Sequence, residues 1–177
     1  GLRLFSEVVR NYPGSGSYGA ALAKCGQILY SLNRLTEADS LFKHYKSEFP
    51  DGSDLPHILF SEAILKERQN QYGQAITLLE TVGRRFPFSP WRNQVQKKLG
   101  RLYIMQNDYQ SAAGHYSNAL SEDSLYLFAQ SVGLPMKSVS QRSSLLQGLA
   151  EAYIGIHDFE KAKNCYFRLL KADPSHE

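Results

Sequence analysis

Apolar residues recur along this chain at steps of three and four, the spacing that places them on one face of a helix. Leu22, Cys25 and Leu29 follow this spacing, and Phe42 and Tyr45 resume it after a short polar break. No segment alternates apolar and polar residues as a half-buried strand does. The pattern therefore predicts an all-α chain of paired amphipathic helices.

The helical pattern itself repeats with a fixed period. Pro13, Pro50 and Pro87 are each 37 residues apart, and Ala38 and Ala75 are separated by the same step. A helical hairpin of this size cannot bury its apolar face alone, so neighbouring hairpins must stack. We predict a single domain over residues 1–177, with a half repeat at 2–13, repeats at about 19–50, 56–87, 93–124 and 143–174, and an insertion at about 124–142.

The predicted insertion is too apolar to be a free loop. Leu125, Tyr126, Leu127 and Phe128 are consecutive within it, and Pro135 follows a glycine and a leucine near its middle. We expect a helix, or an extension of the preceding helix, that ends near this proline and packs on the rest of the chain. A docking patch for a partner is the alternative, because exposed apolar clusters of this size mark binding sites.

The segment 143–174 resembles a tetratricopeptide repeat. It has the large and small signature residues of that family in order, namely Leu146, Leu149, Ala150, Tyr153, Ala162, Tyr166, Leu169 and Pro174. The repeat at 56–87 is the weakest match, because Glu62 and Lys66 stand where the family has apolar residues. The resemblance implies a right-handed superhelical solenoid of helix-turn-helix repeats whose first helices line a concave groove. It also implies a non-enzymatic scaffold for protein–protein interaction.

The loops between repeats carry a second, finer resemblance. Glu48–Ser53 and Arg85–Ser89 each contain an aromatic residue followed by proline and, shortly after, serine. They look like the linkers of tetratricopeptide proteins of the bacterial envelope, namely outer-membrane-assembly lipoproteins and the periplasmic coordinator of the Tol-Pal system. This likeness implies a periplasmic or outer-membrane-associated location. A cytoplasmic adaptor, or a recruiting or dimerising fragment of a larger enzyme, is the alternative.

Composition and charge narrow the functional classes. With 20 basic and 17 acidic residues the net charge is only +3, whereas a nucleic-acid binder carries a larger and more clustered excess. We therefore expect no nucleic-acid partner, and no apolar run is long enough for a transmembrane segment. The histidines are scattered, and no paired carboxylates or phosphate-binding glycine motif occur. We expect no catalytic residue, metal or cofactor.

The family resemblance also implies where a partner binds. The groove-lining positions of the first helices correspond here to Lys24, Gln27, Tyr30, His57, Phe60, Ile64, Glu67, Lys97, Lys98, Arg101, Gln147 and Glu151. The family's carboxylate clamp needs asparagines where Gln27 and Ser61 stand, so this way of capturing a terminal carboxylate is not expected. The apolar members of the set, together with Lys97 and Arg101, suit an amphipathic or extended partner segment bearing acidic residues.

Charge patterning and the ends of the array add further expectations. From Arg84 to Arg101 there are six basic residues and no acidic one, which is typical of a solvated face or of a stripe that attracts an acidic partner. Uncapped ends of a repeat array expose apolar surface, so a homo-oligomer formed through the ends is a further hypothesis. Tyr116 and Tyr166 occupy the same repeat position, and removing either side chain is expected to cost about 3–5 kcal/mol.

Overall fold

All regular structure in the described part of the chain is α-helical, which confirms the prediction from the periodicity. The computed structural model describes residues 2–130 and 139–172. Its helices in chain order are α1 (Leu2–Asn11), α2 (Tyr18–Ser31), α3 (Leu35–Glu48), α4 (Leu55–Arg68), α5 (Tyr72–Arg85), α6 (Arg92–Met105), α7 (Tyr109–Gln130), α8 (Val139–Gly155) and α9 (Phe159–Ala172). After α1, the helices pack in consecutive pairs as successive helix-turn-helix units.

The chain forms two compact units, residues 1–91 and 92–177. The first unit contains α1 to α5, and its most deeply buried side chains include Phe42, Tyr45, Ile58, Leu65 and Leu79. The second unit contains α6 to α9 and has its own core, in which Leu99, Leu102, Leu146 and Tyr116 are buried. Each unit therefore has the apolar core that an array of stacked hairpins requires.

A residue with a left-handed backbone closes the turn in each hairpin. The φ angles are 59–60° at Asn33, Asn70, Asn107 and His157. In the first of these turns, the amide of Asn33 donates to Tyr30 O at 3.0 Å and the amide of Arg34 donates to Leu29 O at 2.9 Å. These bonds satisfy carbonyls that the end of a helix leaves free, and asparagine tolerates the left-handed conformation better than most residues.

Small residues receive aromatic rings between the helices, as the repeat pattern predicts. A side chain in place of Gly26 would collide with the ring of Phe42, and Gly100 and Gly148 both contact the ring of Tyr116. Tyr116 is only 5% exposed, as expected, but the expectation for Tyr166 is wrong because 46% of that residue is exposed. Within the described residues, no helix follows α9 to cover Tyr166.

The predicted insertion begins as a continuation of α7. That helix has 22 residues, whereas α3, α5 and α9 have 14 each, so the preceding helix is extended as expected. Residues 131–138, which include Pro135 and the expected helix end, lie outside the described residues. Residues 173–177, which include the last two residues of the fourth repeat, lie outside them as well.

Candidate functional site

The first unit brings most of its predicted site residues onto one surface, which we call the α2–α4 face: Lys24, Gln27, Tyr30, His57, Phe60, Ile64 and Trp91. Helices α2 and α4 pack against each other and supply all of these residues except Trp91. Lys24 Nζ donates to Gln27 Oε1 at 3.3 Å, and Gln27 Nε2 lies 2.6 Å from His57 Nδ1. A chain of side-chain hydrogen bonds thus connects two successive first helices. Glu67 is half-buried near the end of α4.

Trp91 belongs to the α2–α4 face, although the family resemblance does not select it. Its ring stacks on His57 with 4.2 Å between centroids and 13° between planes, and its centroid lies 5.2 Å from that of Phe60. The residue precedes α6 and therefore falls outside the first-helix positions of the family pattern. Only the residue type could have selected it from the sequence, because Trp91 is the single tryptophan of the chain and tryptophan is enriched in binding hot spots.

The three apolar positions predicted in this unit differ in exposure. Phe60 is only 7% exposed and its ring contacts that of Trp91, so it offers little surface to a partner. Tyr30 and Ile64 are half-buried. The guanidinium carbon of Arg68 lies 4.7 Å from the centroid of the Tyr30 ring, which is a cation–π distance. The apolar surface open to a partner is therefore provided by Tyr30, Ile64 and Trp91.

His57 is held as a neutral ring within the α2–α4 face. Burial lowers its pKa, the positive charge of Lys24 lowers that pKa further, and Asp54 acts in the opposite direction. The Gln27 amide nitrogen can only donate, so Nδ1 of His57 accepts its N–H, which an imidazole with an unprotonated Nδ1 can do. The positive charges at the edge of the aromatic surface therefore come from Lys24 and Arg68.

The other predicted residues lie in the second unit. Lys97 Nζ donates to Ser144 Oγ at 2.7 Å, which connects α6 with α8. Burial raises the pKa of Tyr116 to about 12, while the charges of Glu151 and Arg101 act on this phenol in opposite directions. All five predicted residues of this unit are exposed or half-buried: Lys97, Lys98, Arg101, Gln147 and Glu151.

The two charged residues that break the family pattern are part of an ion network between α3 and α4. Glu62 is 5% exposed and accepts hydrogen bonds from Lys46 Nζ at 2.8 and 2.6 Å. Lys66 Nζ lies 3.9 Å from Asp39 Oδ1, and Lys43 Nζ lies 2.7 Å from Asp39 Oδ2. The mismatch that Glu62 and Lys66 present in the sequence is thus compensated by opposite charges on the neighbouring helix.

The two thiols, the grouping of metal-ligating side chains and the hydropathy of the helices bear on other kinds of site. Cys25 and Cys165 are buried, and burial raises the pKa of both thiols, so both are structural side chains rather than nucleophiles. Within residues 2–130 and 139–172, no three His, Cys, Asp or Glu side chains converge as a metal site would require. None of the helices described has both the length and the hydropathy needed to cross a bilayer.

Comparisons with known proteins support the fold at two levels. Residues 60–126 match the sequence model of the tetratricopeptide repeat family. No curated protein sequence matches the chain. Among solved structures, a tetratricopeptide repeat protein from Parabacteroides merdae ATCC 43184 has 18% identity and a TM-score of 0.75 over 99% of this chain, which spans 60% of that protein's length.

Two further solved structures have the same arrangement of helices. Residues 41 to the end of MamA from Desulfovibrio magneticus RS-1 have 16% identity and a TM-score of 0.74, with 99% of this chain and 85% of that chain covered. PilF of Pseudomonas aeruginosa has 13% identity and a TM-score of 0.70, with 96% and 66% covered. At these identities the likeness shows the fold alone, which is a set of successive tetratricopeptide-like hairpins.

Proposed function

We propose that the chain is a non-enzymatic scaffold that binds a segment of a partner protein on the α2–α4 face. The observation that carries this proposal is the connected row formed by Lys24, Gln27, His57 and Trp91, which joins two successive first helices through hydrogen bonds and ring stacking. Tetratricopeptide repeats generally act as scaffolds for protein–protein interaction, and the match to that family's model includes α4 from Phe60 onward.

The physical character of the face favours a peptide segment over a small molecule. The stacked pair of His57 and Trp91 is a rigid aromatic platform, so little side-chain entropy is lost when a partner covers it. Tyr30 presents a second ring, and Lys24 and Arg68 place positive charge beside the rings. An amphipathic or extended segment with apolar side chains and flanking carboxylates matches this surface.

For the location of this scaffold we favour the bacterial envelope. The support is the aromatic and proline pattern of Glu48–Ser53 and Arg85–Ser89, which is similar to linkers of envelope proteins of this family. Fractionation of cells that make the complete protein tests the location. We expect recovery with the periplasmic or outer-membrane fraction, while recovery from the cytosol would favour the adaptor alternative.

Site-specific photo-crosslinking tests the binding surface even though the partner has not been identified. A benzoylphenylalanine replaces Tyr30 on α2 in one variant and Ser40 on α3 in the other, so both probes lie in one helical hairpin and Ser40 is exposed on the second helix. We expect a protein adduct from position 30 and none from position 40. Labelling from position 40 alone would place the partner on the second helices.

The captured partner is then titrated against point variants. Tyr30→Ala should weaken binding through lost apolar contact, and Lys24→Glu should weaken it most at low salt, where charges are least screened. Ser40→Ala is the matched control and should leave the dissociation constant unchanged. If neither Tyr30→Ala nor Lys24→Glu alters the affinity at two ionic strengths, the α2–α4 face does not bind this partner.

A further inference from the structure

A second surface of the first unit has the features of a peptide site and is separate from Tyr30 and Lys24. The linker between α5 and α6 folds around a cavity of about 380 Å³, whose lining includes Pro56, Phe86, Pro87, Phe88, Pro90 and Trp91. We propose that this cavity, the linker pocket, binds a proline-rich extended segment of a partner protein that carries acidic residues.

The rings that line the linker pocket differ in how they are held. Phe88 is 94% exposed, so nearly all of its surface is open to a ligand, and covering it would remove apolar surface from water. The Trp91 ring is fixed from one side by His57 at 4.2 Å. The Arg85 guanidinium lies 5.3 Å from the Phe86 ring centroid. A ligand therefore meets two rings, Phe86 and Trp91, that already have packing partners and need little further ordering, beside the open ring of Phe88.

The shape and chemistry of the linker pocket favour a polyproline-like segment. Such a segment is extended before it binds, so it loses little entropy and docks in grooves lined with aromatic rings. Its backbone carbonyls have no internal partner, and the pocket offers donors at Arg85, Ser53 and Ser89.

The charges around the linker pocket favour acidic residues in the ligand. No acidic residue lines the cavity. Arg85 donates through one nitrogen to Pro50 O and to Asp51 Oδ1, both at 3.0 Å, and 43% of its side chain remains exposed. Arg84, immediately before it, is exposed as well. Carboxylates that flank the prolines of a ligand would approach these two guanidinium groups.

Trp91 provides a direct readout, because it is the only tryptophan in the chain. The probe is a short synthetic peptide rich in proline with a glutamate at each end, titrated into the full chain while Trp91 emission and the heat of binding are recorded. We expect saturable binding. We expect the same peptide with every proline changed to alanine to bind about tenfold more weakly or worse, a difference of about 1.4 kcal/mol.

Three variants locate the binding. Phe88→Ala removes a side chain that packs on almost nothing, so the fold should persist while the affinity for the peptide falls about tenfold. Tyr12→Ala, at another exposed aromatic residue of the same unit, is the matched control and should bind as the unchanged chain does. Tyr30→Ala should also bind normally, because Tyr30 does not line the linker pocket.

Each contrary outcome overturns the proposal in a recognisable way. Equal binding of the alanine peptide would show that proline geometry is not selected, and unchanged affinity of Phe88→Ala would exclude the linker pocket. Loss of binding in Tyr30→Ala would assign the peptide to the α2–α4 face, which would leave the proposed function intact. Absence of binding by the proline-rich peptide would remove the linker pocket as a site and would not affect the crosslinking test.

Discussion

The junction between α3 and α4 and the junction between α7 and α8 occupy the same place in the repeat pattern, yet they are held by different chemistry. We compare four positions that the two junctions share. In the first junction all four are charged: Asp39, Lys46, Glu62 and Lys66. In the second junction the residues at those positions are Ala113, Leu120, Leu149 and Tyr153, which pack in the core of the second unit. The geometry of the repeat is thus compatible with either an ion network or an apolar contact.

This contrast indicates that the repeat determines the positions at which helices contact each other more strictly than it determines whether the side chains there are charged or apolar. Apolar contact is non-directional, and any side chain of fitting size contributes. An ion pair between helices instead needs its matching counterpart, since one unpaired buried charge is strongly destabilising. At the α3–α4 junction Lys46 pairs with Glu62 and Lys66 lies near Asp39, so each charge on one helix depends on a counterpart on the other.

The greatest loss of stability is expected at the apolar junction. Tyr116→Ala should lower the free energy of unfolding by about 3–5 kcal/mol, because it leaves a cavity beside Gly100 and Gly148. Tyr166→Ala is the matched variant at the equivalent position of α9 and should cost less than about 1 kcal/mol, since half of that side chain is in water. Urea unfolding measures both, and equal losses would contradict the packing described for α8 and α9.

A smaller effect is expected at the charged junction. Glu62→Ala leaves Lys46, whose side chain is 30% exposed, without the carboxylate that accepts its hydrogen bonds, and should cost about 1–3 kcal/mol. The double variant Lys46→Leu with Glu62→Leu reproduces Leu120 and Leu149 of the apolar junction. It should be neutral or more stable than the unchanged chain, by up to about 2 kcal/mol.

The exposed pair of Arg34 and Glu37 is the control for the charged junction. Both side chains are about half exposed, so water screens the pair and Glu37→Ala should destabilise the chain less than Glu62→Ala does. Urea unfolding of all three variants gives the comparison. If the double leucine variant is as unstable as Glu62→Ala, the network contributes more than charge pairing and the two junctions are not interchangeable.

The weakest effect is a pH dependence that arises on the α2–α4 face. The pKa of His57 is lowered from its ordinary value of 6.5, so the unfolded chain binds this proton more readily and stability falls as pH drops below about 6.5. The lowered pKa values of Glu37, Asp108 and Asp158 start from 4.5 or 3.8. Their contributions are lost only at lower pH, as the pH falls towards those lowered values.

Thermal unfolding of the unchanged chain and of His57→Gln, followed between about pH 7.5 and 5, measures the contribution of His57. The midpoint of the unchanged chain should decline as pH falls through this window. His57→Gln keeps a polar side chain near Gln27 but has no titratable ring, so its midpoint should change less with pH. Parallel curves for the two proteins would show that His57 does not carry the dependence.

The helices and much of the core could be predicted from the sequence because small and large residues recur at fixed positions of each repeat. Gly100 and Ala150 occupy the same small position in successive repeats, and the ring of Tyr116 packs beside Gly100. A small residue next to a large ring specifies a close helix contact wherever a neighbouring helix is present. The same rule was wrong for Tyr166, because a repeat position describes what a side chain can fill and not whether another helix covers it. The sequence likewise showed Glu62 as a mismatch, but its partner Lys46 lies on a different helix.

The candidate site was only partly predictable. The family resemblance selects first-helix positions, and it therefore led to Gln27 and His57, which the structure joins by a hydrogen bond. It passed over Trp91 and Phe88, because both lie in the linker after α5, where no helical periodicity assigns a direction to a side chain. That Phe60 is covered by Trp91 also depends on this linker, so only the structure could show it.

Amide hydrogen exchange of the chain with and without its captured partner tests whether the partner binds the α2–α4 face. We predict slower exchange on binding in α2 and α4, around residues 27–30 and 57–64, and little change in α3 and α5. Protection confined to α3 and α5, or to the second unit, would contradict binding at this face.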